Sequence, residues 1–145
     1  LLDDMLAEPF LKLTPPKSTG RDLFNYGWLQ GILKQRDISA VDVQRTLLEF
    51  TSITISHAIQ QYAQACDEIY LCGGGAYNRA LVENLRQKLH PVKIAASDDL
   101  GVPVNWVEAY AFAWLARQTK LGLAGNVPSV TGASGERVLG AVYAR

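Results

Sequence analysis

The stretch "EIYLCGGGAYNRALVENLRQKLHPVKIAA" (residues 68–96) decides the fold. It opens with a short apolar run, EIYLC (68–72), and closes with a second one, VKIAA (92–96). Between them, residues 77–89 repeat apolar positions at the spacing of an amphipathic helix. A strand, a helix and a strand within about 30 residues form a βαβ unit, and its two strands lie parallel with a right-handed crossover. We therefore expect an α/β fold with a short, mostly parallel sheet flanked by helices.

Three consecutive glycines, Gly73, Gly74 and Gly75, connect the first predicted strand to the helix. Each glycine costs backbone entropy, so a bare loop rarely uses three. A glycine turn before a helix brings backbone N–H groups close to ligand oxygens, at the strand ends where parallel sheets bind ligands. The dinucleotide fingerprint would require another glycine where Asn78 stands. The turn therefore favours a nucleotide or sugar contact that is not a dinucleotide site, with a plain tight turn as the alternative.

The rest of the chain is predicted to be mainly helical and to form one domain. Helices are predicted over residues 1–7, 22–34, 40–64 and 105–120, and a last strand over 137–143. The helix over 40–64 is apolar on more than one face, so we expect it to pack on both the sheet and other helices. The alanine-rich body of the last helix is also expected to pack closely on the sheet.

The composition argues against two classes of partner. Lysine and arginine number 14, and aspartate and glutamate also number 14, so neither nucleic acid nor an anionic membrane surface is a favoured partner. No run approaches the ~18 apolar residues of a membrane span. Cys66 and Cys72 are predicted to be buried, reduced thiols of a cytoplasmic protein, with a disulfide as the alternative. Because the sequence begins without methionine, in the middle of a helical pattern, we expect a piece of a longer protein.

Two acidic motifs near the second strand have competing interpretations. Asn105 followed three residues later by Glu108 is typical of a capping box. The alternative is that Glu108 leans into a cleft and accepts hydrogen bonds from sugar hydroxyls. Asp98 and Asp99 directly follow the second strand, but adjacent side chains rarely point at one site, which favours solvated loop acids over a catalytic pair.

The segment PPKSTGR (15–21) pairs lysine with a hydroxyl residue but lacks the glycines of a phosphate-binding P-loop. Lys17 and Arg21 could contact a ligand or a partner subunit, and a solvated loop is equally compatible with this sequence.

Four blocks in this order resemble one known family. They are PPKSTGRDLFN (15–25), LCGGGAYN (71–78), SDDLGVPVNWVEAYAFAWLA (97–116) and GNVPSVTGAS with VLGAVY (within 125–143). Together they are similar to the C-terminal part of the anhydro-N-acetylmuramic acid kinases, members of the sugar kinase/actin/heat-shock ATPase superfamily. The resemblance implies that residues 1–145 form the C-terminal lobe of a two-lobe kinase, a partial ribonuclease H-like lobe beside a nucleotide cleft.

The resemblance also implies an activity. Such kinases open 1,6-anhydro-N-acetylmuramic acid and phosphorylate it with ATP and Mg²⁺ to N-acetylmuramic acid 6-phosphate, a step in peptidoglycan recycling. Alternatives within the superfamily are a nucleotide-binding lobe without chemistry and a kinase of a different sugar. The family's glycine-rich phosphate loop and its catalytic aspartate match nothing in this chain, so the chain alone is expected to be inactive.

By the same resemblance, individual residues receive roles. Gly73, Gly74, Gly75 and Asn78 would contact the nucleotide, and Glu108 would contact the anhydrosugar. No metal ligand is expected in this chain. The resemblance further implies a cytoplasmic protein and a homodimer.

Overall fold

The computed structural model describes residues 1–34 and 36–143. Its helices are α1 (Leu2–Leu6), α2 (Tyr26–Leu33), α3 (Ala40–Tyr62), α4 (Arg79–Leu89), α5 (Val107–Leu121) and α6 (Pro128–Thr131). Short 3₁₀ turns span Pro9–Lys12, Gly74–Tyr77 and Ser97–Leu100, and the strands are β1 (Glu68–Leu71) and β2 (Lys93–Ala96). The strands pair in parallel through α4, with Glu68 beside Lys93 and Leu71 beside Ala96. The predicted α/β class, a short parallel sheet flanked by helices, is confirmed.

Side-chain caps determine where the first two long helices begin. α2 begins at Tyr26, later than predicted, because the Asn25 side chain accepts the backbone N–H of Trp28 at 3.0 Å. Ser39 precedes α3, and its hydroxyl accepts the backbone N–H of Asp42 at 3.1 Å. Each such cap stabilises a helix by about 1 kcal/mol.

The core lies between the sheet and α4. Leu85 and Leu89 of α4 and Ile94 of β2 are buried together. Five half-buried side chains surround them: Ile59, Ile69, Leu71, Leu81 and Val92. Because Ile59 belongs to α3, this cluster joins both long helices to the sheet, as predicted for the longest helix.

A polar cluster sets the alignment of α3 against α4. The buried side chain of Asn84 donates to the Glu49 carboxylate at 2.8 Å, and Lys88 contacts the other carboxylate oxygen at 2.5 Å. The Glu49 and Lys88 side chains are both about 70% covered, at 28% and 29% exposed. A half-buried carboxylate needs its hydrogen-bond donors, so this cluster disfavours any sliding of one helix along the other.

Replacing Asn84 by alanine is expected to lower the free energy of unfolding by about 1–3 kcal/mol, because the covered Glu49 carboxylate loses a donor. Urea unfolding followed by circular dichroism measures this loss. Gln87→Ala is the matched control, since Gln87 is exposed on the same helix and bonds only to Glu83 among the residues described. Its expected change lies within about 0.5 kcal/mol. Equal losses in the two variants would contradict the role given to Asn84.

The predicted last strand is wrong. Residues 137–143 form no strand in the described part of the chain. Instead, the Arg137 carbonyl accepts the backbone N–H of Gly125 at 3.0 Å, and the Leu139 carbonyl accepts the hydroxyl of Thr119 on α5. These backbone groups therefore bond to α5 and the loop after it, and not to an edge of the β1–β2 sheet.

The expected packing of α5 on the sheet is also wrong. α5 has no buried residue, and its half-buried Leu115 lies near the loop that follows the helix, by Gly125 and Leu139. The apolar pattern of α5 predicted a covered helix, but among the described residues nothing covers most of it.

Two further expectations concern chemistry and membranes. Cys66 and Cys72 are both free thiols, as predicted, but Cys66 is only half-buried and Cys72 is exposed. The expectation of buried thiols is therefore wrong, because Cys72 follows the last residue of β1 and lies outside the covered sheet.

No described helix combines the length and the apolar character needed to cross a membrane.

Candidate functional site at the carboxyl ends of the strands

The glycine turn after β1 needs glycine at one position only. Gly73 has φ +72° and ψ −175°, a backbone conformation that side chains with a Cβ rarely adopt. A Cβ added at Gly74 would meet no atom within 4 Å, and one at Gly75 would lie 3.9 Å from the Leu81 side chain. The tight turn therefore explains Gly73, whereas nothing in the described chain excludes side chains at Gly74 and Gly75.

Asn78 joins the glycine turn to α4. It ends the Gly74–Tyr77 3₁₀ turn and caps α4, with its side-chain oxygen accepting the backbone N–H of Leu81 at 3.1 Å. Asn78 thereby fixes the direction in which the turn leads into the helix. Gly74, Gly75 and Asn78 are exposed on the same short segment.

A chain of hydrogen bonds joins the glycine turn to the segment before α5. The backbone N–H of Gly73 donates to the Val104 carbonyl at 3.0 Å. The N–H of Val104 in turn donates to the Asp98 carboxylate at 3.3 Å. Because Val104 is buried, the ends of both strands and the start of α5 are held at one edge of the sheet. This is where ligands bind in parallel sheets.

The acids after β2 are exposed, as predicted, but Asp98 also has a structural contact. Asp98 and Asp99 lie in the Ser97–Leu100 turn, and only Asp98 is bonded to Val104 among the described residues. No motif in the sequence predicts this bond, since it joins residues six positions apart across a loop.

Glu108 lies in the first turn of α5 and is exposed. The predicted capping box is wrong, because α5 begins at Val107 and its cap position is Trp106, which makes no side-chain capping bond. Asn105 lies one residue before this cap position. Glu108 follows Val104, the residue that is hydrogen-bonded to the glycine turn, by four positions in the chain.

Comparison with known proteins shows to which family the chain belongs. A family model described as "Anhydro-N-acetylmuramic acid kinase" matches residues 1–145. The chain belongs to the anhydro-N-acetylmuramic acid kinase family. The resemblance carried by the four sequence blocks is confirmed.

Relatives of the same name span much more sequence than this chain. The one from Nitrosospira multiformis is 52% identical over 143 residues, which cover 99% of this chain and 39% of the relative. The one from Cupriavidus metallidurans is 49% identical over 148 residues, covering 100% and 39%. The one from Coxiella burnetii is 41% identical over 143 residues, covering 99% and 38%. The chain therefore spans about two fifths of the anhydro-N-acetylmuramic acid kinases that it matches.

In this member of the anhydro-N-acetylmuramic acid kinase family, Lys17 has a structural contact. Its ammonium group donates to the carbonyls of Phe10 and Leu11, at 3.3 and 3.0 Å. It also lies 5.1 Å from the centre of the Phe10 ring, within cation–π distance. Lys17 thus ties the polar loop to the preceding 3₁₀ turn, whereas Arg21 is exposed.

A groove that was not predicted from the sequence lies between α2 and α3. Its volume is about 650 Å³, and Arg21 lies at its rim with an aromatic floor of Phe24, Trp28 and Phe50. The ring centroids of Phe24 and Trp28 are 5.1 Å apart, and those of Trp28 and Phe50 are 5.7 Å apart. The only available signal was the presence of aromatic residues in two consecutive helices. The groove shares no lining residue with the glycine turn.

The outer face of the sheet carries a small charged cluster. Hydrogen bonds from Tyr70 and Lys93 hold the pKa of the Glu68 carboxyl below its usual value. The same contacts raise the pKa of the Tyr70 hydroxyl and of the Lys93 ammonium. All three residues lie on the face opposite the buried Ile94, so this face of the sheet is polar at the N-terminal ends of its strands.

Proposed function

We propose that this chain is the C-terminal nucleotide- and sugar-binding lobe of an ATP-dependent kinase in peptidoglycan recycling. The complete enzyme would open 1,6-anhydro-N-acetylmuramic acid and phosphorylate it to N-acetylmuramic acid 6-phosphate. The observation that carries the proposal is the family match over all 145 residues. The glycine turn is hydrogen-bonded to Val104, four residues before Glu108 in the chain, and this supports a division of labour between nucleotide and sugar within this lobe.

Gly73, Gly74 and Gly75 would form the surface for the adenosine. Where a Cβ is absent and space is open, a flat adenine ring or a ribose can lie directly against the backbone. This explanation accounts for Gly74, which the fold itself does not require. Asn78 would hold the turn in place through its side-chain oxygen, which caps α4. The NH₂ group of the same side chain would contact the nucleotide.

Glu108 would accept hydrogen bonds from hydroxyl groups of the anhydrosugar. A carboxylate is an acceptor with two oxygens, and bonds to it from sugar hydroxyls are charge-assisted. The Gly73–Val104 hydrogen bond brings the start of α5 to the glycine turn, and phosphoryl transfer requires donor and acceptor to be held side by side. The two proposed contacts therefore suit one reaction.

ATP reacts as its Mg²⁺ complex, in which the metal neutralises charge on the phosphates. The described residues include no group of three or more His, Cys, Asp or Glu side chains that could hold a metal ion. We therefore assign no metal ligand to the described residues. The free thiols agree with the proposed cytoplasmic location, and the homodimer stays a prediction.

Glu108→Gln tests the sugar contact in a chimaera, called here the completed kinase. It is the Nitrosospira multiformis relative with its matching segment replaced by this chain. The change keeps the shape of Glu108 but removes its charge, so kcat/KM for the anhydrosugar should fall roughly 10- to 100-fold, the usual loss for one charge-assisted hydrogen bond. The KM for ATP should stay unchanged, and initial rates at varied sugar and ATP concentrations measure both values.

Glu136→Gln is the matched control, since Glu136 is also exposed and has no proposed role. The isolated 145-residue chain gives the inactive baseline. Unchanged sugar kinetics in Glu108→Gln would remove Glu108 from the sugar site. ATP binding without any sugar phosphorylation by the completed kinase would favour a non-catalytic nucleotide-binding lobe.

A further inference from the structure

Between residues 109 and 116, the outer side of α5 is apolar and largely uncovered within the described chain, and the exposed Arg117 and Lys120 follow on the same side. At about 100° per residue, one side of the helix presents a stripe of small residues between aromatic ridges. Phe112 is 71% exposed and Trp114 is 50% exposed. We call this surface the α5 face, and it consists of Ala109, Tyr110, Phe112, Ala113, Trp114 and Ala116.

The α5 face is large for a surface in contact with water. With about 200 Å² for a whole aromatic side chain, the exposed fractions of Tyr110, Phe112 and Trp114 leave roughly 350 Å² of ring surface uncovered. Beside it, a groove of about 530 Å³ separates Phe112 from residues 139–142. Contiguous apolar patches of this size mark sites of contact with other protein surfaces.

The shape of the α5 face suits another layer of secondary structure and not a small ligand. Its central alanines are flat, and the aromatic ridges on both sides leave room for a sheet or a helix to approach closely. A ligand pocket is concave and has convergent polar groups, whereas the central part of this face carries only alanine and aromatic side chains. Domains bury such faces against a second packed layer.

The sheet points to the same conclusion independently. The described strands form a two-stranded parallel sheet. Parallel sheets occur almost only where further elements cover both faces, and stable sheets usually have three or more strands. The described part of the chain thus has an incomplete sheet and an uncovered helix.

We propose that the α5 face packs against the part of the kinase that the relatives have outside the matched segment. More than half of each relative lies there, since the match covers 38–39% of its length. That part is long enough to supply further strands and a second layer on the same polypeptide, so the proposal needs no second copy. The proposal depends on family membership and not on the proposed ATP and sugar contacts.

Cysteine labelling tests this packing without measuring activity. In a background that carries Cys66→Ala and Cys72→Ala, Ala113→Cys places a thiol at the centre of the α5 face. Gln87→Cys is the matched control, because Gln87 is exposed on α4 beside the charged Arg86. The labelling rate by a small maleimide is measured for each variant, in the isolated chain and in the completed kinase.

We expect both thiols to react at similar rates in the isolated chain. In the completed kinase, position 113 should react at least about 10-fold more slowly, as for a packed site that reacts only through local opening, while position 87 keeps its rate. Ala109→Cys, one turn earlier on the same face, should show the same protection if Ala113→Cys fails to fold. Equal rates at 113 in the two proteins would overturn the proposal. So would protection in the isolated chain that grows with its concentration, because a second copy would then cover the face.

Discussion

Replacing Leu85 by alanine is expected to lower the free energy of unfolding by about 2–5 kcal/mol. Leu85 is 2% exposed and lies with Leu89 and Ile94 at the centre of the contact between α4 and the sheet. Truncation loses the burial of the side chain and leaves a cavity that the surrounding helix and strands fill only partly. Since small domains have a total stability of about 5–15 kcal/mol, this single change removes a large share of it.

Urea unfolding of the 145-residue chain measures the effect, and Leu13→Ala is the matched control. Leu13 is 53% exposed, so the same truncation there should change the free energy of unfolding by no more than about 0.5 kcal/mol. A loss below 1 kcal/mol for Leu85→Ala would mean that the cluster of Leu85, Leu89 and Ile94 is not the core of this fold.

This core is the part of the fold that the sequence predicts best. Leu81, Leu85 and Leu89 are four residues apart, and this spacing identifies the inner face of α4. The strands on either side of the helix follow from the βαβ order. Both ends of the unit lie within one or two residues of their predicted positions. Local periodicity is sufficient here because the partners are close in sequence.

The same kind of pattern failed where the partner is distant. The apolar residues of α5 predict a covered helix, and the apolar residues of 137–143 predict a strand. Neither pattern shows which other part of the protein packs against the element. In the described chain the backbone of Arg137 and Leu139 bonds to α5 and its following loop. Periodicity indicates that an element needs a partner, and only the assembled layers identify that partner.

At the candidate site, the sequence predicted the location but not the role of each residue. The three glycines after the first predicted strand indicated a turn that a ligand approaches closely. The structure has a turn at this position. Which glycine the backbone requires depends on φ, which the sequence does not reveal. The predicted capping box was likewise wrong by one residue. Because α5 begins after Trp106, the cap position is Trp106 and not Asn105.

Gly74→Val is expected to weaken ATP binding by the completed kinase by roughly 10-fold or more, which is about 1.4 kcal/mol for each factor of ten. A Cβ at Gly74 meets no atom of the described chain within 4 Å, so the valine fits the fold but occupies the space proposed for the adenosine. Affinity for the anhydrosugar should stay unchanged, because Glu108 lies on a different element. Isothermal titration calorimetry with each ligand measures both affinities.

Gly73→Val, one residue earlier, separates the needs of the fold from those of the ligand. With φ at +72° and ψ at −175°, a valine there is strained by about 1–3 kcal/mol, so Gly73→Val should lower the thermal stability of the protein as well as its affinity for ATP. Gly74→Val should lower the affinity alone, with a melting temperature close to that of the unmodified protein. If Gly74→Val binds ATP with full affinity, no nucleotide lies against this turn, and the second glycine is then a residue that neither the fold nor the nucleotide requires.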